Sequence, residues 1–132
     1  METIAVDFDG VVHKYSKGWA DGSIYDEPAE GVFEAIKQLM KTHTVYILST
    51  RNPHQIQRWL NKYLWYWDAV SDTLFSTYGY TSQVIWWPWT KFWNKPNVLG
   101  ITNKKLPAKI YIDDRGYKFI NWKKTIKDFS NF

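Results

Sequence analysis

An apolar run near the amino terminus leads directly into two carboxylates, and this stretch constrains the fold more than any other. Residues 3–6 read Thr-Ile-Ala-Val, and Asp7, Phe8, Asp9 and Gly10 follow. A short run without polar alternation is typical of a parallel strand buried on both faces, which carries functional groups at its carboxyl end. Side chains at i and i+2 of an extended chain point the same way, so Asp7 and Asp9 are predicted to face one spot. Two carboxylates that face one spot repel each other unless a cation or a shared proton is present. Mg²⁺ is a hard cation that a few carboxylates can hold, so the pair indicates a Mg²⁺ site.

The composition predicts a single globular domain over residues 1–132. Hydrophobic residues make up 45% of the 132 residues, which is enough for one core but not for two ordinary domains. No apolar run approaches the length of a membrane span, and the first one is too short for a signal peptide. The absence of cysteine excludes disulfides and thiolate metal sites and favours an intracellular, cytoplasmic protein with no membrane partner. A net charge of +4 suits anionic substrates but does not by itself indicate nucleic-acid binding.

Alternating strand and helix patterns predict an α/β domain with a central parallel sheet. Pro28 fits the first turn of one helix, and Asn52 caps a second helix that begins at Pro53. Beyond the first strand, strands are expected at residues 44–48, 97–101 and 108–112, and helices at about 28–41, from 53 onward and at about 121–129.

Two segments interrupt this alternation. Residues 11–27 are rich in glycine and small polar residues, which predicts a loop with at most a short hairpin. Residues 64–95 form a tryptophan-rich insert, for which we expect a short strand or hairpin and a helical turn packed on the sheet edge. Residues 11–27 are too few for a full cap domain, so the crevice at the strand ends should be rather open.

Chemically active side chains recur at or near the ends of the predicted strands. They are Asp7 and Asp9, Ser49, Lys105, and Asp113 and Asp114. The carboxyl ends of parallel strands lie on one edge of a sheet, so these groups can converge. Together they suit phosphoryl transfer, since one carboxylate can attack phosphorus, a second can act as acid and base, and cations and hydroxyls can stabilise the phosphoryl oxygens.

The same residues resemble the four motifs of the haloacid dehalogenase (HAD) superfamily of phosphohydrolases, in order and along nearly the whole chain. The matching stretches are Asp7-Phe8-Asp9-Gly10-Val11, Ile47-Leu48-Ser49, Lys105 and Ile112-Asp113-Asp114-Arg115. The chain most resembles the small, nearly capless members found in bacteria and their phages. The resemblance implies a Rossmann-like, three-layer α/β/α domain with a minimal cap or none. It also implies a Mg²⁺-dependent phosphatase that removes phosphate from a phosphomonoester through an aspartyl-phosphate.

The resemblance also implies a role for each motif residue. Asp7 is the nucleophile and a Mg²⁺ ligand, and Asp9 is the general acid and base whose main-chain carbonyl binds the metal. Ser49 donates to a phosphoryl oxygen. Lys105 neutralises the pentavalent species and orients Asp7. Asp113 is a metal ligand, directly or through water.

Several neighbours support these roles or compete for them. Asp114 supports Asp113, and Thr50 competes with Ser49 for the hydroxyl role. Arg51 either binds substrate or is a solvated first-turn residue. Lys104 competes with Lys105, Lys109 is a weaker rival, Arg115 is a candidate clamp on the carboxylates, and His13 is a candidate substrate contact in the loop.

The tryptophans raise the question of partners. Those at 59, 65, 67, 86, 87, 89 and 93 crowd one third of the chain, with Lys62, Lys91 and Lys95 among them. Such rings more often fill an edge core or an oligomer interface, although aromatic and basic residues also bind single strands of nucleic acid. The expected substrate is a phosphorylated small molecule, with a nucleotide or a nucleic-acid terminal phosphate favoured. The alternative is a HAD-like module that binds metal or nucleic acid without turnover.

Overall fold

The apolar runs form a parallel sheet with the amino-terminal strand near its centre. The structure is a computed structural model, and it describes residues 2–85 and 95–130. Its strands are β1 (Glu2–Asp7), β2 (His43–Leu48), β3 (Trp65–Asp68), β4 (Thr73–Ser76), β5 (Thr81–Ile85), β6 (Val98–Thr102) and β7 (Ile110–Ile112), and its helices are α1 (Val32–Met40), α2 (Pro53–Leu64) and α3 (Trp122–Phe129).

Five strands build the main sheet in the order β5-β6-β2-β1-β7, and every neighbouring pair is parallel. The mixed α/β fold and the parallel sheet predicted from the sequence are therefore confirmed. In β1, Ile4, Ala5 and Val6 are all buried, as expected for a strand covered on both faces. The predicted strands at 44–48, 97–101 and 108–112 correspond to β2, β6 and β7.

The two sides of the sheet are covered unequally by the described residues. The larger core joins alternate residues of β1 and β2, such as Ile4 and Val45, to side chains of α1 and α2. Ala5 and Tyr46 point to the opposite side, where they form a smaller cluster with Ile85 and Leu106. The site described below opens partly on this thinner side.

The first helix begins later than the pattern predicted. Helix α1 starts at Val32 because Gly31 has a left-handed φ of 72°, and Pro28 lies in an extended bridge with His13 instead of a first helical turn. By contrast, Asn52 caps α2 as predicted, since its side chain accepts from the His54 amide at 2.9 Å. The prediction of loop for residues 11–27 is confirmed, with isolated bridges in place of strands.

The tryptophan-rich insert is a hairpin followed by an edge strand, as far as the structure describes it. Strands β3 and β4 pair antiparallel, and β5 forms one edge of the main sheet. No helix occurs in residues 65–85, where 69–72 form the turn between β3 and β4, and the expectations for residues 86–94 lie outside the described residues. Trp59 is buried in the larger core, whereas Trp67 is exposed.

Helix α3 has the predicted apolar stripe, but most of that stripe is open to solvent. Asn121 caps the helix by accepting from the Lys124 amide at 2.8 Å, and Thr125 is buried. Trp122 and Ile126 are exposed. Among residues 2–85 and 95–130, no helix combines the length and the apolar character that crossing a bilayer requires.

Candidate functional site

The carboxyl ends of three neighbouring strands, β2, β1 and β7, bring the predicted residues to one edge of the sheet. Asp7 ends β1 and pairs with Leu48, so Ser49 follows on the adjacent strand. Val6 pairs with Ile112, so Asp113 stands beside Asp7 on the other side. Asp7 and Asp113 line one cavity of about 230 Å³. The spatial proximity on which the sequence interpretation depends is therefore present.

A second cavity of about 350 Å³ adjoins the first and shares Asp7 and Leu48 with it. Its lining residues are Asp7, Asp9, Tyr15, Trp19, Leu48, Ser49, Thr50, Asn103 and Arg115. Three of the predicted motifs thus contribute to one pair of connected cavities. Tyr15, Trp19 and Asn103 had no predicted role. The position of Asn103 just past β6, at the same sheet edge, is the signal that could have identified it.

Asp7 sits in an environment that resists its negative charge. Burial raises the pKa of the Asp7 carboxyl above its ordinary value of 3.8. The Phe8 amide donates a hydrogen bond to Oδ1 at 2.8 Å, which offsets part of this rise. The negative charges of Asp114, Asp113 and Asp9 raise the pKa further. A bound cation would relieve this concentration of negative charge.

The donor set is chemically suited to Mg²⁺, a hard cation that prefers oxygen. Within the described residues, no three His, Cys, Asp or Glu side chains form a group that could hold a metal ion. The predicted ligands, however, are two carboxylates, those of Asp7 and Asp113, and the main-chain carbonyl of Asp9. One or two carboxylates completed by water and phosphate oxygens are the usual protein share of a Mg²⁺ site. Metal binding therefore stays a prediction, and the Asp7–Asp113 cavity is where we expect it.

Asp9 lines the larger cavity, but both of its carboxylate oxygens are engaged. Oδ2 accepts from Arg51 Nε at 2.8 Å, and Oδ1 lies 3.0 Å from His13 Nδ1. The Asp9 side chain is about one-fifth exposed. Asp7 and Asp9 line the same cavity, as expected from their spacing in the strand. The orientation of the Asp9 carboxylate is fixed by its contacts with Arg51 and His13.

His13 is fully buried and therefore is not the substrate contact that its loop position suggested. Its Nε2 accepts from the Asp26 amide at 2.9 Å, so the ring proton lies on Nδ1 and is donated to Asp9. The ring stacks on Phe8, with centroids 5.4 Å apart, and meets Trp59 edge-on. In this structure His13 is a positioning residue for Asp9.

Arg51 is also buried, with only 4% of its surface exposed, so the reading of a solvated arginine is wrong. Besides its contact with Asp9, its Nη1 donates to the Gly22 carbonyl at 2.6 Å. Its guanidinium carbon lies 4.5 Å from the centroid of the Trp19 ring. Nη2 has no hydrogen-bond partner among the residues that the structure describes. Sequence reasoning missed these contacts because they depend on how the loop before α1 folds back.

The structure does not choose between the two candidate hydroxyls. Ser49 and Thr50 both line the larger cavity. Ser49 Oγ accepts from the Arg51 amide at 3.2 Å, which orients it and leaves its proton for an acceptor in the cavity. Either residue can therefore donate to a phosphoryl oxygen.

The predicted lysine is not among the residues that line either cavity. Lys105 is exposed, and Lys104 is only partly buried. Lys109 pairs with Glu2 at 2.8 Å, at the opposite end of β1, which removes it as a rival. The role of Lys105 stays a prediction. Arg115 is the cationic side chain among the described residues that line the larger cavity.

The acidic pair after β7 forms a tight turn. Asp113 Oδ1 accepts from the Arg115 amide at 2.8 Å and from the Gly116 amide at 2.5 Å. The Asp114 carboxyl lies against Gly10, where an added Cβ would come within 2.8 Å of its Cγ. The turns after β1 and β7 are thus packed together, in agreement with a supporting role for Asp114.

Comparison with known proteins adds no family. A scan against protein-family models, a search of curated proteins and a search of solved structures each returned no match to this chain.

Proposed function

We propose that this protein is a Mg²⁺-dependent phosphohydrolase of HAD-like type, acting on a phosphomonoester through an aspartyl-phosphate. The observation that carries the proposal is the placement of Asp7 in two connected cavities, one shared with Asp113 and the other with Asp9 and Ser49. The raised pKa of Asp7 supports a cation at this position. The proposal includes a three-layer domain with a minimal cap, which the parallel sheet and the short loop at 11–27 support.

In the proposed chemistry, Asp7 and Asp9 each act once in the formation of the aspartyl-phosphate and once in its hydrolysis. An oxygen of Asp7 attacks phosphorus, the bond from phosphorus to the alcohol oxygen breaks, and Asp9 protonates that oxygen. Asp9 then takes a proton from water, whose oxygen attacks the aspartyl-phosphate and releases phosphate and free Asp7. Ser49 or Thr50 and Arg115 stabilise the phosphoryl oxygens. Bound Mg²⁺ would supply charge neutralisation for the phosphoryl group.

Asp9 has a further requirement. Its two oxygens accept from Arg51 and His13, and an oxygen that carries a proton is a poor acceptor. Before the acid step, Asp9 must therefore give up one of these two hydrogen bonds.

A second candidate function is a module that binds metal or nucleic acid without turnover. The exposed position of Lys105 outside both cavities favours it, because the resemblance to the HAD superfamily assigns that lysine to the pentavalent species. Pairing with a second copy through the tryptophan-rich segment is compatible with either function.

Turnover of an aryl phosphate tests the proposal directly. We expect Mg²⁺-dependent turnover in the wild type, and none with EDTA or in Asp7→Asn. Asp72→Asn is the matched control: Asp72 is exposed, lies outside both cavities and has a φ of 55°, which asparagine tolerates. Asp9→Asn should lose turnover and keep Mg²⁺ affinity, because its main-chain carbonyl is unchanged. A folded wild type that is inactive on nucleotides, sugar phosphates and phosphorylated oligonucleotides, yet shifts single-stranded oligonucleotides in a salt-sensitive way, would favour the binding module.

A further inference from the structure

Trp19 is a large aromatic side chain held at the rim of the larger cavity with much of its surface open. It is 56% exposed, and it lines the cavity together with Asp7 and Asp9. An exposed tryptophan alone needs no explanation. This ring, however, is fixed in place from behind by the loop and by a buried cation.

The backing of Trp19 consists of Gly22 and Arg51. A Cβ at Gly22 would lie 2.9 Å from Trp19 Cζ2, so the absence of a side chain there allows the ring to rest against the loop. The Gly22 amide donates to the Trp19 carbonyl at 2.8 Å, which closes the turn between them. The Arg51 guanidinium stands 4.5 Å from the ring centroid and is itself held by Asp9 and Gly22. A ring that is already immobilised loses little entropy when a ligand stacks on it.

Tyr15 adds a second aromatic residue to the same rim. It lines the cavity beside Trp19, and the Arg51 guanidinium carbon is 6.0 Å from its ring centroid. The cavity thus has carboxylates and hydroxyls at the strand ends and aromatic rings from the loop at its rim. Its volume of about 350 Å³ lies in the range of small-molecule sites, about 300–1,000 Å³.

We propose that Trp19 and Tyr15 form a base-binding subsite and that the substrate class is a nucleoside monophosphate. The phosphate would reach Asp7 while the nucleobase stacks on the open side of Trp19. This inference rests on the proposed phosphohydrolase function and deepens it, because a sugar phosphate of equal charge lacks a planar ring and gains nothing from the subsite.

The test compares two substrates in variants of one residue. Initial rates are measured for adenosine 5′-monophosphate and ribose 5-phosphate, in the wild type, Trp19→Leu and Trp19→Phe. We expect Trp19→Leu to raise the KM for the nucleotide by about 5- to 100-fold, which is the range for loss of one base–aromatic stack. The KM for ribose 5-phosphate should stay within about twofold of the wild-type value. Trp19→Phe should recover most of the loss. Trp122→Leu is the control, since Trp122 is 71% exposed on α3 and lines neither cavity.

Each other outcome is decisive. An equal fall in kcat/KM for both substrates in Trp19→Leu overturns the subsite and makes Trp19 a support for Arg51. If the wild type hydrolyses neither substrate, calorimetric titration with adenosine 5′-monophosphate tests the subsite alone, and the phosphohydrolase proposal fails if the aryl phosphate is not turned over either. Nucleotide binding that Trp19→Leu weakens would support the subsite without catalysis. An absence of nucleotide binding to the wild type would overturn it.

Discussion

Replacing Gly10 with alanine should affect the molecule in two separate ways. Backbone strain should lower the free energy of unfolding, and displacement of Asp114 should weaken Mg²⁺ binding at the proposed metal site. Gly10 lies in the turn after β1 at a φ of 85°, and its amide donates to the His13 carbonyl at 2.8 Å. A side chain in this left-handed conformation costs about 1–2 kcal/mol. The new Cβ would also overlap Asp114 Oδ2 and lie 2.8 Å from Asp114 Cγ, whereas carbon atoms rest about 3.5–4.0 Å apart. Because Asp114 is exposed, its carboxyl can turn aside by about 1 Å at little further cost.

The matched control is Gly18→Ala. Gly18 has a similar φ of 68°, and among the described residues no atom lies within 4 Å of its Cβ position. We therefore expect both variants to lose the same 1–2 kcal/mol, roughly 4–10 °C in Tm for a chain of this size. Only Gly10→Ala displaces Asp114, so only this variant should bind Mg²⁺ more weakly, by about tenfold, as is typical when a residue supporting a metal ligand is disturbed.

The assay is denaturant and thermal unfolding of the wild type and both variants across a Mg²⁺ titration. Mg²⁺ should stabilise the wild type and Gly18→Ala at similar concentrations, and Gly10→Ala at higher ones. Equal Mg²⁺ affinities in the two variants would refute the argument about Asp114. A wild type whose unfolding does not respond to Mg²⁺ would instead refute the metal site, which keeps the two conclusions apart.

Three further predictions concern stability. The raised pKa of Asp7 means that the folded state favours the protonated carboxyl, so stability falls as the pH rises from 3.8 through the higher folded pKa. Without metal, Asp7→Asn should therefore be more stable than the wild type at pH 7, by up to about 2 kcal/mol. In thermal melts below pH 4 this difference should disappear. Gly100→Ala should lower the free energy of unfolding in urea by about 1–3 kcal/mol or more, because its Cβ would overlap Cδ1 and Cε1 of the buried Tyr46 ring and lie 3.0 Å from Cγ; a loss under 0.5 kcal/mol would contradict this packing. His13→Phe should lower the free energy of unfolding in urea by about 1–3 kcal/mol, because it removes the donor to Asp9 and leaves the Asp26 amide without its acceptor. Unchanged stability would contradict these two buried hydrogen bonds.

The strands were predictable because their patterns are local. The apolar run before Asp7 has to be buried on both faces wherever it lies, and the Asn52-Pro53 pair caps and starts a helix by its own geometry. Once the strands are parallel, Asp7 and Asp113 must lie on the same edge of the sheet. The shared sheet edge could therefore be derived without coordinates, whereas the pairing of β1 with β7, which sets Asp113 beside Asp7, could not.

The features that could not be predicted depend on the loop before α1. Pro28 was expected in a helix, but the Ala29 amide donates to the Val12 carbonyl at 2.7 Å, which holds this stretch extended beside the loop. The burial of His13 and Arg51 follows from the same folding back and has no local signal. The distance of Lys105 from the cavities likewise reflects the path of the chain between β6 and β7, which propensity does not determine.

The two side chains that hold Asp9 are anchored at different points of one loop. His13 is bound to the amide of Asp26, and Arg51 is bound to the carbonyl of Gly22. A length change between residues 22 and 26 would alter the spacing of these anchors and be transmitted to Asp9, the carboxylate that we propose as acid and base. An insertion ahead of Gly22 would keep the spacing of the two anchors, but it would disturb the hydrogen bonds that join Ser16 to Asp26 and Lys17 to Tyr25.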